Sequence, residues 1–215
     1  MSATTYRLFW APGSAAMAPH ALLEEIGAPV ELIRVDLGAG EHLRPEYLKL
    51  NPNGRVPVLV VDGKPMFETA AICQLLTERH PEARLAPPPG APTRARFLQW
   101  LTWQTNTLQE AFLQWFHPDW RVAGDAARAA LKADAEARLG AHWKLLDDAL
   151  AAGGPYLCGD EFSAVDVYLA MLLRWSRFCA TPGWTWPHVK RCADLVVARP
   201  AWRRMMAAQG IQWPY

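Results

Sequence analysis

The chain has no charge excess, no long apolar run and no paired cysteines, and each absence closes off a class of function. Formal net charge is +1, from 22 basic and 21 acidic side chains in 215 residues. Neither nucleic acid nor an anionic membrane surface would find a basic footprint on it. No apolar run reaches the roughly 18 residues that a membrane-spanning helix needs. The opening MSATTYRLFW has no charged segment ahead of an apolar core, so no secretory leader is expected. The four cysteines (Cys73, Cys158, Cys179, Cys192) are widely spaced with no C-x-x-C. That pattern points to reduced, mostly buried thiols and a cytoplasmic setting. The six histidines form no H-x-x-x-H and sit near no cysteine pair, so no metal is expected.

What is present reads as a soluble globular protein: 51% apolar and 20% charged residues. The length suits one large domain or two small ones. Residues 5–10 (TYRLFW) read as a strand, Ala11-Pro12-Gly13-Ser14 as a turn, and 15–27 as a helix ending on a Gly27 cap. A second strand alternates over 30–35, and HLRPEYLKL makes a short irregular helix. An apolar strand then begins at Val56-Pro57, turns at Asp62-Gly63 into a short partner, and meets a helix over 69–79 closed by Pro81. The order is β-α-β-α-β-β-α. Residues 86–92 (APPPGAP) can neither continue a helix nor pair in a sheet. They are read as a linker between domains of residues 1–85 and 93–215.

After the linker the pattern is helical to the end. Phe97, Leu101, Leu108, Phe112 and Trp115 form one stripe over 93–117, with Thr105 interrupting it. Trp100, Trp103 and Ala111 form a second apolar set, and a helix with two apolar faces packs on two neighbours. Thr102, Asn106 and Gln109, spaced by four and three, form a polar strip opposite the stripe. Either a solvated face or the wall of a pocket would produce it. Residues 125–152 form a long amphipathic helix. Ser163 with Asp166 three residues on is a capping-box spacing ahead of an apolar run, a device for starting a buried helix. Tryptophan is abundant, with eleven residues. They serve either core packing or a wide aromatic pocket for flat apolar substrates.

Residues 53–81 carry most of the functional signal. A cis Val56-Pro57 bond would turn the Val56 N–H and C=O away from the sheet, where an extended peptide-like ligand could pair with them. Thr69 is expected to cap the following helix, whose N-terminal N–H groups and positive dipole end suit a carboxylate. Together these groups make a receptor for a small acidic peptide. The plainer alternative is a strand that merely begins at a proline.

These residues resemble the glutathione transferases. Their thioredoxin-like half carries a V-P and, after a hairpin, an E-S at a helix start; here the pair is Glu68-Thr69. A very similar S-x-x-D box opens a core helix of their all-α half, so the resemblance spans nearly the whole chain. It implies an α/β thioredoxin-like domain followed by an all-α helical bundle. It also implies a homodimer that conjugates glutathione, its co-substrate, to small hydrophobic electrophiles in detoxification. The resemblance assigns Val56 and Pro57 to the cysteinyl unit, Glu68 to the γ-glutamyl ammonium and Thr69 to its carboxylate. Gly40-Glu41-His42-Leu43 resembles the G-x-H-L of theta-like classes, which brings His42 and the neighbouring Arg55 to the glycine-end carboxylate. The electrophile pocket is expected between the halves, walled by Trp10, Met17 and the strip Thr102, Asn106 and Gln109.

The chemistry requires a thiolate near neutral pH. Lowering a thiol from about 8.5 by two pK units takes about 2.7 kcal/mol. A hydrogen bond to the anion supplies about 1.5–3 kcal/mol and a helix N-terminus about 0.3–1 kcal/mol. Ser14 is the candidate donor, because Pro12-Gly13-Ser14 is similar to the turn of the serine-using classes. It can equally cap the helix it precedes. The string MAPHALLEE resembles the bacterial beta class, which keeps a catalytic cysteine one position after the serine; Ala15 stands there, against mixed-disulfide chemistry. Where that class carries His-Lys, this chain has Gln109-Glu110. Trp10 stands where other classes place a tyrosine, and its indole can only donate. Two alternatives stay open: a binding protein of the same fold without turnover, and a glutathione-dependent reductase or isomerase.

Overall fold

The computed structural model describes residues 6–214. Strand β1 (Tyr6–Trp10) runs parallel to β2 (Val30–Arg34), with Tyr6 opposite Val30. A parallel pair needs a crossover, and helix α1 (Met17–Ile26) supplies it, ending on Gly27 at φ 70°, the left-handed cap expected there. Helix α2 (Pro45–Leu48) is one turn, preceded by a 3-10 turn at Glu41–Leu43. Strand β3 (Val58–Val61) is buried at every position, as its run of β-branched residues suggests. It pairs antiparallel with β1, Phe9 opposite Val58, and with β4 (Lys64–Met66). The two-residue hairpin Asp62-Gly63 takes φ 51° and 80°, which its right-handed twist demands. Helix α3 (Thr69–Arg79) follows. The sheet order is β2-β1-β3-β4.

Two compact units result. The first holds the described residues to Ala86 together with Val197–Trp213, and the second spans Pro87–Val196. Residues 93–215 are expected to form one helical domain; by packing, Val197–Trp213 group with the first unit. The cause is electrostatic and apolar. On the last helix, Pro200–Gln209, and the residue before it, Arg199 grips Glu25 of α1 at 2.6 and 2.9 Å, and Arg204 grips Glu24 at 2.6 Å. Trp202 is buried beside them and packs its ring on Trp213 at 5.7 Å. Tyr215 lies outside the described residues.

In the second unit, α4 (Arg94–Trp103) and α5 (Glu110–Phe116) are joined by a π-helical stretch, Gln104–Gln109. The sequence pattern predicts one uniform helix over 93–117. The wider turn accompanies buried Gln104 donating to the Val165 carbonyl at 3.0 Å and Thr105 bonding back to Leu101 at 3.1 Å. Helices α6 (Asp125–Gly153), α7 (Ala164–Trp175) and α8 (Pro187–Val197) complete the unit, and the last helix is α9. At α7 both halves of the Ser163/Asp166 capping box form, and Asp166 also accepts the Leu157 N–H at 2.8 Å. Among the described residues no helix is long and apolar enough to cross a membrane.

Candidate functional site

The topology gathers the predicted residues of the first unit at one end of the sheet. Strand β1 ends at Trp10, antiparallel β3 begins beside it, and β4 ends opposite the start of β3. Parallel β2 ends at the same side. The turn 11–16, the segment before Val58, the start of α3 and the connection carrying His42 therefore all emerge at one edge. Ends of strands in open α/β sheets are where ligands are held.

Gly13 adopts φ 67°, which a side chain would resist, and Ser14 N–H closes the turn on the Ala11 carbonyl at 3.3 Å. The Ser14 hydroxyl donates to that carbonyl at 2.7 Å and accepts the Ala16 N–H at 3.2 Å. Its carbonyl accepts the Met17 N–H at 3.1 Å, so α1 starts two residues later than expected. Ala15 N–H, between these anchored groups, has no acceptor among the described residues. The turn thus holds a half-buried hydroxyl, polarised by an incoming N–H, next to an unengaged amide.

Val56–Pro57 is cis, and Val56 precedes the ladder, which begins at Val58. The residue before it is fixed by two groups that sequence reasoning missed: the Tyr47 hydroxyl and Asn51 Nδ2 both donate to the Arg55 carbonyl at 2.8 Å. Burial pushes the Tyr47 phenol well above its usual range, so it stays a donor. Arg55 is exposed, while His42 is half-buried, its Nδ1 sheltered and without a partner among the described residues.

At α3 the expectation for Thr69 is corrected. Thr69 is the first helical residue, buried, and no side chain caps the helix. Glu68 holds the cap position at φ 74°, ψ 104°, uncommon for a residue with a side chain, and is exposed. The first-turn N–H groups of α3 are therefore without a side-chain acceptor.

The predicted electrophile wall fares less evenly. Met17 has no exposed surface, so it cannot line an open pocket, and Trp10 is nearly as buried. Thr102 and Asn106 are exposed, but the π turn breaks their strip: the Gln109 side-chain Oε1 accepts the Tyr168 hydroxyl. The four cysteines are free and buried, and burial pushes them up, Cys158 to about 11 and Cys179 to about 12. None offers a reactive thiolate.

Comparison with known proteins places both units. Residues 4–78 match the N-terminal domain of glutathione S-transferases and 125–208 match a C-terminal domain of the same family. Glutathione S-transferase GstA of Escherichia coli O157:H7 is 28% identical over 96% of this chain and 100% of its own. Maleylacetoacetate isomerase of Pseudomonas aeruginosa is 34% identical over 82% of this chain and 81% of its own. Among solved structures, a sphingomonad glutathione S-transferase complexed with glutathione superposes with a TM-score of 0.84 at 30% identity, covering 96% of this chain and 100% of its own.

Proposed function

The chain belongs to the glutathione S-transferase family and is a glutathione transferase, and from that premise we propose that Ser14 stabilises the glutathione thiolate. The observation that carries this reading is the Ser14–Ala15 turn, with its polarised hydroxyl beside an unengaged N–H. Releasing the hydroxyl proton from the Ala11 carbonyl forfeits about 0.5–1.5 kcal/mol, whereas a bond to an anion contributes about 1.5–3 kcal/mol. The anion wins, so the proton swings to sulfur when glutathione ionises. The Ala15 N–H at the helix start adds about 0.3–1 kcal/mol. The sum meets the requirement of about 2.7 kcal/mol for a thiolate at neutral pH.

Around this centre, Val56 pairs with the cysteinyl backbone beside Pro57. Glu68 takes the γ-glutamyl ammonium, and the first-turn N–H groups of α3 with Thr69 take its carboxylate. His42 and Arg55 face the glycine-end carboxylate. The electrophile is small and apolar: an activated aryl halide, an epoxide or an unsaturated carbonyl. Sulfur forms the new bond to carbon, and halide leaves, or the ring or carbonyl oxygen takes up the electron pair. The enzyme acts as a cytoplasmic homodimer in detoxification.

The test is the initial rate of conjugation to a chromogenic aryl halide, for wild type and Ser14→Ala, with glutathione binding followed by tryptophan fluorescence. Ser14→Ala should lose about 10- to 100-fold in rate, the worth of one charged hydrogen bond, and still bind glutathione. Unchanged turnover in Ser14→Ala sinks the serine mechanism. The isomerase among the relatives favours a second reading, glutathione-dependent isomerisation, which is distinguished by whether glutathione is consumed. A reductase relying on a protein thiol is disfavoured by Ala15 and by the buried cysteines.

A further inference from the structure

One side chain from the far end of the chain reaches the thiolate turn. Gln209, nearly fully buried at the end of α9, accepts the Gly13 N–H on its Oε1 at 3.1 Å. Its Nε2 lies 3.2 Å from Nδ1 of the wholly buried His20 on α1. The polarity of this chain of bonds is fixed by its first member. A backbone N–H can only donate, so the Gln209 carbonyl must face Gly13 and its amide must face His20. His20 Nδ1 therefore accepts, and the imidazole is neutral with its proton on Nε2. Burial holds His20 down to about 4, the state this geometry requires, with Glu24 opposing weakly from 4.0 Å.

We propose that Gln209 is a positioning residue for the thiolate turn: aligned by His20, it pins the Gly13 N–H and so fixes the direction of the Ser14 hydroxyl and the Ala15 N–H. The inference rests on the reading of that turn as the thiolate site. Gly13 sits at φ 67°, a conformation glycine takes at no steric cost, so an anchor there decides how well the two donors are aimed. The anchor is itself rigid. Arg199 and Arg204 tie α9 to Glu25 and Glu24 of α1, one turn beyond His20 on the same helix. Pre-aimed donors stabilise charge without reorganisation at the moment of reaction.

The test is a pH titration of the thiolate absorbance of bound glutathione, with kcat, KM and glutathione affinity, in wild type, Gln209→Met, Gln209→Glu and Ser14→Ala. Gln209→Met removes the acceptor for Gly13 and should keep glutathione affinity while raising the bound thiol's pKa and lowering kcat about 3- to 10-fold, the worth of one neutral hydrogen bond. Gln209→Glu keeps an oxygen for Gly13, lets His20 donate from Nδ1 instead, and should restore kcat. A folded Gln209→Met with wild-type thiol pKa and kcat overturns the proposal. Should that variant not fold, Gln209→Asn, one methylene too short to reach both partners, is read in the same way. In the wild type the Gly13 amide should resist hydrogen exchange; exchange at the rate of an open loop overturns the proposal whatever the variants do. If Ser14→Ala leaves the thiol pKa untouched while Gln209→Met raises it, the serine mechanism fails and the positioning role stands, acting through the Ala15 N–H.

Discussion

Helices α1, α3 and α7 each begin with a short polar side chain near the N-terminus, and they begin in two different ways. Helix α7 is closed. The Ser163 N–H and the Leu157 N–H both end on Asp166, each at 2.8 Å, and Ser163 and Asp166 are buried. Helices α1 and α3 are open. Ala15 N–H has no acceptor among the described residues, and no side chain caps the first turn of α3. All three starts carry the same partial positive charge. Where the protein satisfies it internally, the result is a folding element. Where it does not, an anion has somewhere to bind. The residue types alone do not separate the two cases; burial and satisfaction do.

Breaking the closed start should give the largest effect. Asp166→Ala leaves two buried N–H groups without an acceptor, each costing about 1–3 kcal/mol, and removes the cap, so about 3–5 kcal/mol of stability should go. Urea denaturation measures it. The fraction that remains folded should bind glutathione with wild-type affinity, because the residues proposed to bind it all lie in the first unit. A loss below about 1 kcal/mol would mean that α7 does not depend on its box.

Acid should drive the two units in opposite directions. In the first, burial lowers His20 from 6.5 to about 4. The unfolded chain then binds the extra proton, so stability is lost as pH falls through this range. In the second, burial is the largest influence on Asp166 and raises it from 3.8 to about 6. There the native state binds the extra proton, so its contribution is present at low pH and lost as pH rises through about 6. Each spans about 3 kcal/mol at most. Hydrogen exchange at pH 6.5 and 4.5, corrected for intrinsic rates, should show α1 opening more readily at the lower pH and α7 less. Parallel changes in both helices would refute the contrast.

Much of the local fold was legible in the sequence, and the failures have a common cause. Local signals worked: the Gly27 cap, the two-residue hairpin at Asp62-Gly63, the Ser163/Asp166 box and the α3 boundaries each depend on residues a few positions apart. Contacts across the chain did not work. Gln209 and Gly13 are separated by 196 positions, and Arg199 and Glu25 by 174, with no local pattern to join them. The Thr102, Asn106 and Gln109 strip assumes 3.6 residues per turn, and the π stretch Gln104–Gln109 changes that period. Met17 looked like a pocket wall by position, but its burial comes from packing that no window of sequence displays. Residue type points to Thr69 as the cap, whereas the backbone gives that position to Glu68.

Glu68 offers the finest test of the open start. Its φ of 74° is tolerated by glycine and resisted by other residues, and its exposed side chain bonds to nothing that the fold needs. Glu68→Gly therefore removes a backbone penalty of about 1–3 kcal/mol and adds about 0.5–1 kcal/mol of unfolded-state entropy against folding. The net should be a small gain in stability, near 1 kcal/mol by that difference. Glutathione affinity should move the other way, falling about tenfold as the carboxylate proposed to meet the ammonium is lost. Thermal denaturation and a fluorescence titration on the same sample separate the two. A closed start such as α7 cannot behave so, because there the polar group that would be removed is the one that stabilises the fold. If Glu68→Gly lowers stability and leaves affinity unchanged, α3 is a structural start like α7, and the receptor must be sought elsewhere on the sheet edge.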